Sequence, residues 1–316
     1  MVCGRPVAKH GLMRVPTLLR SRRTALLLTA ALVAGSLAGA GAASAVTPYS
    51  RTTPVILFGP TPEDLAANKN GICSGNFTHV FRNVGGAASA LTYLDVAARC
   101  DLKVIFFFST TADHTRGIVY PSRVAPLVNA VKGHPALFGY LSVKEPSWVG
   151  ITATEIKSLY SAYRAADPSH PVIGLWGDIP HFGMSVNPYT AGMADIVMVD
   201  WYPVETTTGT NTTYLTTGPT HYKRVRAAVV AKTPAAPIWL MVQTHKYLKP
   251  ATHKKQRPSQ ALLSRQVREG FVYLGAKAIA FHTWSNVNYA MDQRRDPTMV
   301  AWMNDLARRI QAGTFQ

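Results

Sequence analysis

Runs of consecutive apolar residues recur along the chain from Val55 onward, each followed by a stretch whose apolar positions repeat at helical spacing. The runs are Val55–Phe58, His79–Val84, Val104–Ser109, Leu137–Val143, Val172–Trp176, Ile196–Val199, Ile238–Val242 and Ala278–Thr283. Most are continuous rather than alternating, as parallel strands covered on both faces require. Between them, helices are signalled by Thr61-Pro62-Glu63-Asp64, Ala88–Arg99, Ser122–Lys132, Thr152–Ala166, Tyr214–Ala231 and Pro258–Leu274, with a last one over Pro297–Ile310. From Asp178 to Asp195 the residues mostly favour loops, with a short candidate turn at Tyr189–Met193, so the fifth helix is expected to be degenerate. Eight strand–helix units predict one α/β domain, a closed (β/α)8 barrel. A doubly wound open sheet would alternate similarly, but the glycine-rich first turn of that fold is missing. Thr206–Thr217 reads as a polar loop, and no linker, repeat or appended module interrupts the pattern.

The first 45 residues stand outside this alternation. Arg14, Arg20, Arg22 and Arg23 precede an apolar run from Ala25 to Gly41, and Ala43-Ser44-Ala45 supplies a small-residue cleavage pattern. Residues 1–45 therefore read as an export signal and residues 46–316 as the mature barrel. Ser21-Arg22-Arg23 directly before the run admits a twin-arginine route beside the general secretory one. An uncleaved anchor is the alternative, but a run rich in Gly and Ala that ends at such a site fits removal better. The mature protein is expected outside the cell, free of the membrane. Removal takes six of 33 basic residues and none of the 16 acids, which leaves a formal charge of +11. Cys3 leaves with the signal, so Cys73 and Cys100 remain as an even pair in a compartment where disulfides persist. They are expected to bridge, two buried thiols being the alternative.

Barrels of this kind carry their chemistry at the carboxyl ends of the strands. Three acids fall there: Glu145 after the fourth run, Asp178 after the fifth and Asp200 after the sixth, while Asp113, Glu205 and Asp292 lie farther out in loops. Cleaving a glycosidic bond takes a proton donor for the leaving oxygen and a second carboxylate to attack or to activate water. Glu145 is the candidate donor. Tyr140, Pro146 and Trp148 would give it a partly apolar setting that favours the neutral acid, which Lys144, if close, opposes. A salt bridge at the barrel rim is the plainer reading of Glu145. Asp200 is the candidate partner, with loop bonding or orientation of a neighbour as its alternatives, and Asp178 ranks behind it.

Trp148, Trp176, Trp201 and Trp284 all fall at or just past strand ends, and indoles on one rim would offer flat faces to a pyranose. Tyr202, His245 and His282 would add polar contacts to sugar hydroxyls. Lys246, Lys249, Lys254, Lys255 and Arg257 follow the seventh run without an acid, which suits an anionic polysaccharide or cell-wall glycan; a solvated loop explains them equally. No metal motif, phosphate loop, serine elbow or nucleic-acid module occurs, so neither cofactor nor metal nor nucleic acid is expected.

Lys144-Glu145-Pro146, read with Asp195–Pro203, Pro237–Gln243 and Gly275–Trp284, resembles the clan of (β/α)8 glycoside hydrolases with Asn-Glu-Pro or Asp-Glu-Pro after the fourth strand. The similarity runs from about Pro54 to Asp305. It implies that Glu145 is the acid/base, that Trp284 floors the sugar subsite, and that Arg82 holds the catalytic carboxylates. The departure comes at the seventh strand: the clan's nucleophile is a glutamate, and this chain has Gln243, an amide that cannot form a glycosyl ester. Asp200 or Asp178 as second carboxylate, a substrate group in that role, and a barrel that binds glycans without cleaving them all stay open. The leading expectation is a secreted, monomeric barrel that cleaves a polysaccharide with Glu145 as general acid and Asp200 as its partner. A non-catalytic glycan-binding barrel is the runner-up, and a structural protein of the envelope the third reading.

Overall fold

Strands that are apolar on both faces bury them only by closing on one another inside a ring of helices. A computed structural model describes residues 53–109, 119–146, 150–177, 189–206, 212–214, 218–246, 256–284 and 296–315, and there this closure is complete. β1 (Val55–Phe58), β2 (His79–Val84), β3 (Lys103–Phe108), β4 (Leu137–Lys144), β5 (Val172–Trp176) and β6 (Ile196–Trp201) follow one another around the wall. A short antiparallel hairpin, β7 (Val204–Thr206) with β8 (Thr212–Tyr214), then leaves the ring. That hairpin occupies the segment read from sequence as a polar loop. β9 (Ile238–Gln243) and β10 (Ala278–His282) complete a closed parallel barrel, with Val55 of β1 in register with Ile279 of β10.

Side chains alternate along each strand, so every strand feeds two cores. Ile56, Phe81, Ile105, Ile173, Met198 and Met241 fill the barrel interior. Their sequence neighbours, such as Val55, Val80, Phe106, Val172, Val199 and Leu240, pack outward against the helices. Those helices are α1 (Pro62–Ala66), α2 (Ala87–Arg99), α3 (Pro121–Val131), α4 (Ala153–Ala166), α5 (Gly218–Lys232), α6 (Gln260–Glu269) and α7 (Pro297–Gln311). Residues 189–195, ahead of β6, form turns, and the rest of the segment expected to be degenerate, 178–188, lies outside the described residues.

Caps start several helices where the sequence signals them. Thr61 and Asp64 cap α1 reciprocally at 3.1 Å each way, and Thr152 with Glu155 does the same for α4. α6 runs into a π-helical turn, Gly270–Leu274, which ends at Gly275 with φ 71°, a left-handed conformation suited to glycine. Cys73 and Cys100 form a disulfide with Cα atoms 4.6 Å apart, tying the β1–β2 connection to the end of α2.

The amino-terminal end of the barrel is braced by a polar cluster. Asp167 accepts hydrogen bonds from the Tyr140 hydroxyl at 2.8 Å, from His170 Nδ1 at 2.7 Å and from the Ser169 amide at 2.9 Å. Burial pushes the Asp167 pKa up, but the bonds from Tyr140, Ser169 and His170 outweigh it and the net shift is downward. Tyr140 therefore belongs to this end of the barrel and, contrary to the expectation from sequence order, gives Glu145 no apolar wall.

Candidate active site

At the carboxyl ends of the strands, the end of β4 carries two partly exposed charged side chains, Lys144 and Glu145. Register between β4 and β5 shifts between Leu141 and Val143, an irregularity of the kind that bends a strand and re-aims the side chains at its end. Glu145 comes directly after the strand with φ 47°, a left-handed conformation that costs a non-glycine residue about 1–2 kcal/mol. Its amide donates to the Leu175 carbonyl at 2.8 Å, which anchors the turn to β5.

Gly177, one residue past β5, is where the two candidate carboxylates meet. A methyl group placed on Gly177 would lie 2.7 Å from Glu145 Oε1 and 3.2 Å from Asp200 Oδ1, so only glycine leaves the space they use. Two points at those distances from a third are separated by no more than the sum, 5.9 Å. Asp200 is held on β6 at 2 % exposure, while the Glu145 side chain is 29 % exposed. One carboxylate is built into the wall and the other is partly exposed.

Around this pair stand a cation and several rings. Lys144 Nζ lies 3.9 Å from Glu145 Oε2 and 5.6 Å from the centroid of the Phe58 ring. Phe58 stacks on Phe81 with centroids 3.8 Å apart and meets His282 edge-on at 4.9 Å. Tyr202 stacks on His282 at 5.6 Å and meets His245 edge-on at 4.8 Å. His245 Nδ1 lies 2.9 Å from the His282 carbonyl, to which it donates. Burial, reinforced by His245 and Lys144, holds the His282 pKa well below its usual value, so this imidazole is neutral near pH 7. Tyr202, His245 and His282 are thus brought together with Glu145 and Asp200.

Two members of this group escaped the sequence reading, and strand alternation would have found both. Phe58 lies two residues after inward Ile56, and Asn83 two after inward Phe81. Asn83 Oδ1 is buried with no hydrogen-bond partner among the described residues, an acceptor available at the end of β2.

Other expected site residues face elsewhere. Trp176 and Trp284 are 0 % exposed and Trp201 is 3 % exposed, all three in the core between strands and helices. Trp176 packs edge-on against Tyr189 at 4.8 Å and Trp201 against Tyr222 at 5.0 Å, while Trp284 Nε1 donates to Asp64 at 3.0 Å. At those positions the three indoles pack into the scaffold and present no exposed face. Arg82 also turns outward: its guanidinium donates to the carbonyls of Gly59 and Pro60 at 3.2 and 3.3 Å and covers the Tyr93 ring, bracing the exit of β1 rather than a catalytic carboxylate.

Gln243 is fully buried. Its Oε1 accepts from the Val204 amide at 3.0 Å, and its Nε2 lies 3.1, 3.3 and 2.6 Å from the carbonyls of Val204, His245 and Gln256. It clips the chain after β6 to the chain after β9, a task a carboxylate could not perform because it has no proton to donate. Arg257, expected to serve an anionic ligand, makes a two-pronged bond with Asp296 at 2.7 and 2.9 Å and covers the Trp302 ring. Lys246 is half-buried. Trp148, Asp178, Asp113, Asp292, Lys249, Lys254 and Lys255 lie outside the described residues, as does the side chain of Glu205. Among the described residues, no cluster of His, Cys, Asp and Glu is arranged to hold a metal ion, and no helix is long and apolar enough to cross a membrane.

No protein-family model matches this chain, and no curated protein matches it. Solved structures do. A GH5_18 protein of Streptomyces cattleya, in complex with Manβ1-4GlcNAc, superposes with TM-score 0.57 at 12% identity, over 81% of this chain and 80% of that one. A β-galactosidase of Marinomonas ef1 gives 0.56 at 11%, over 81% of this chain and 59% of that one. A β-1,4-D-mannanase of Cryptopygus antarcticus gives 0.52 at 11%, over 80% and 89%. At such identities the likeness is one of fold: the chain is a (β/α)8 barrel of the kind found in glycoside hydrolases.

Proposed function

We propose that the protein is a secreted glycoside hydrolase that cleaves an O-glycosidic bond of a polysaccharide, with Glu145 as general acid and Asp200 as its partner. The observation that carries this is the convergence of the two carboxylates on Gly177, with oxygens no more than 5.9 Å apart. That upper bound on one oxygen pair is compatible with the ~5–5.5 Å of a retaining pair. Glu145 gives its proton to the leaving oxygen while an Asp200 oxygen attacks the anomeric carbon and forms a glycosyl ester. Glu145, now ionised, takes a proton from water, the hydroxide attacks the same carbon, and Asp200 leaves as a carboxylate. In this reading Tyr202 and Asn83 would bond sugar hydroxyls. Export through residues 1–45, action as a monomer and recognition of a carbohydrate belong to the same reading; the folds of the neighbouring glycosidases support its chemical class.

The fixed role of Gln243 favours a second reading, in which the barrel binds glycans without cleaving them. Digestion of a panel of cell-wall and plant polysaccharides separates the two. Reducing-end release by the wild type, lowered 10²- to 10⁴-fold in Glu145→Gln, is the result expected of a general acid. Binding with no turnover on any glycan selects the second reading, and turnover unaffected by the substitution removes Glu145 from the mechanism.

A further inference from the structure

We infer that Lys144 is the anchor for an acid group on the substrate, so that the glycan taken at this mouth contains uronic acid. The inference rests on the reading of this end of the barrel as a glycan site and specifies what that site selects. Lys144 ends β4 at the carboxyl end of the barrel, and its side chain is 31 % exposed. An ammonium carries three donors. Here it lies over the Phe58 ring, which offers no oxygen acceptor, and 3.9 Å from Glu145, beyond hydrogen-bond reach. No hydrogen bond among the described residues engages it.

The charge is also unanswered at the moment it matters. Glu145 is the acid nearest the ammonium, and a general acid is neutral when it donates its proton. A carboxylate on the sugar supplies the missing acceptor, in a charge-assisted bond of ~2.8 Å. Such a group would then lie within about 7 Å of the Glu145 oxygen, which places it on one of the two sugars joined by the bond to be broken. A lysine suits this role as a compact point charge. The formal charge of +11 carried by residues 46–316 draws acidic polymers toward the protein from a distance.

The test is titration calorimetry on Glu145→Gln, which keeps ligands intact, using oligogalacturonate and a glucuronate-containing oligosaccharide beside carboxyl-reduced forms of each. One acidic ligand is expected to bind at least ~10-fold more tightly than its reduced form. Adding Lys144→Met removes that preference, while Lys144→Arg keeps it, and thermal midpoints confirm that the variants are folded. Equal affinity for acidic and reduced forms overturns the uronate assignment and leaves the glycan site standing. A preference that survives Lys144→Met overturns the role of Lys144. Binding of neither form by the parent overturns both the assignment and the site. If Lys144→Met does not fold, the acidic-against-reduced comparison on the parent decides.

Discussion

At four strand ends one residue step separates a position on the inner side of the barrel from one that faces the helices. Asn83 looks inward and Arg82 outward on β2; Gly177 and Trp176 divide likewise after β5, Asp200 and Trp201 on β6, and His282 and Phe281 on β10. The outward members are large and packed, and their polar atoms serve the scaffold: Arg82 braces the turn after β1, and Trp284 beyond β10 ties to Asp64. The inward members are glycine or polar: Gly177, Asn83, Asp200 and His282. Proximity to the catalytic end of a barrel therefore says little about function until the direction of the side chain is known, and the bonds a side chain has already made say more than its type.

The largest effect that would break this division is expected at Trp284. Truncation to alanine removes a fully buried indole and one of the donors to Asp64, leaving the Thr61 amide, so Trp284→Ala should cost about 3–5 kcal/mol in urea denaturation. Unchanged stability with lost glycan binding would make Trp284 a sugar platform after all. Gln243→Glu comes next. A carboxylate cannot donate to the carbonyls of Val204 and Gln256, and its charge would be buried beside them, so a loss of ~3 kcal/mol and no gain in turnover are expected. A variant with new hydrolytic activity would show that the position reaches substrate.

The smallest effect belongs to the opposite end of the barrel and depends on pH. The Asp167 pKa is lowered in the folded state, so its contribution is fully present above the unfolded-chain value of ~3.9 and is lost as pH falls through the folded value. Asp167→Asn should therefore lower stability by about 2 kcal/mol at pH 7, with the difference from wild type shrinking below about pH 4. The same difference at pH 7 and pH 3 would mean that ionised Asp167 is not what holds Tyr140 and His170.

Much of this was legible in the sequence because burial on both faces leaves continuous apolar runs. Three of the eight strands match their runs residue for residue, the other five differ by one or two residues at an end, and Cys73 and Cys100 do pair. Glu145 and Asp200 were legible as acids at strand ends. Side-chain direction was not, and the sixth strand shows why. Its apolar run stops at Val199, which leaves Asp200-Trp201-Tyr202 looking like loop residues free to cluster. The strand in fact continues to Trp201, and alternation then sends Asp200 inward and Trp201 into the helical layer. Gln243 is another case, since its meaning lies in bonds to Val204, 39 residues away, that no local pattern encodes.

Product stereochemistry tests most directly whether Glu145 and Asp200 work as a pair. Proton NMR of the first sugar released from a cleaved glycan reports the anomer before it equilibrates. The proposed ester on Asp200 predicts retention of configuration, and one oxygen of each carboxylate lies at most 5.9 Å from the other, as a close pair requires. Inversion, or no cleavage of any glycan in the panel, would contradict it.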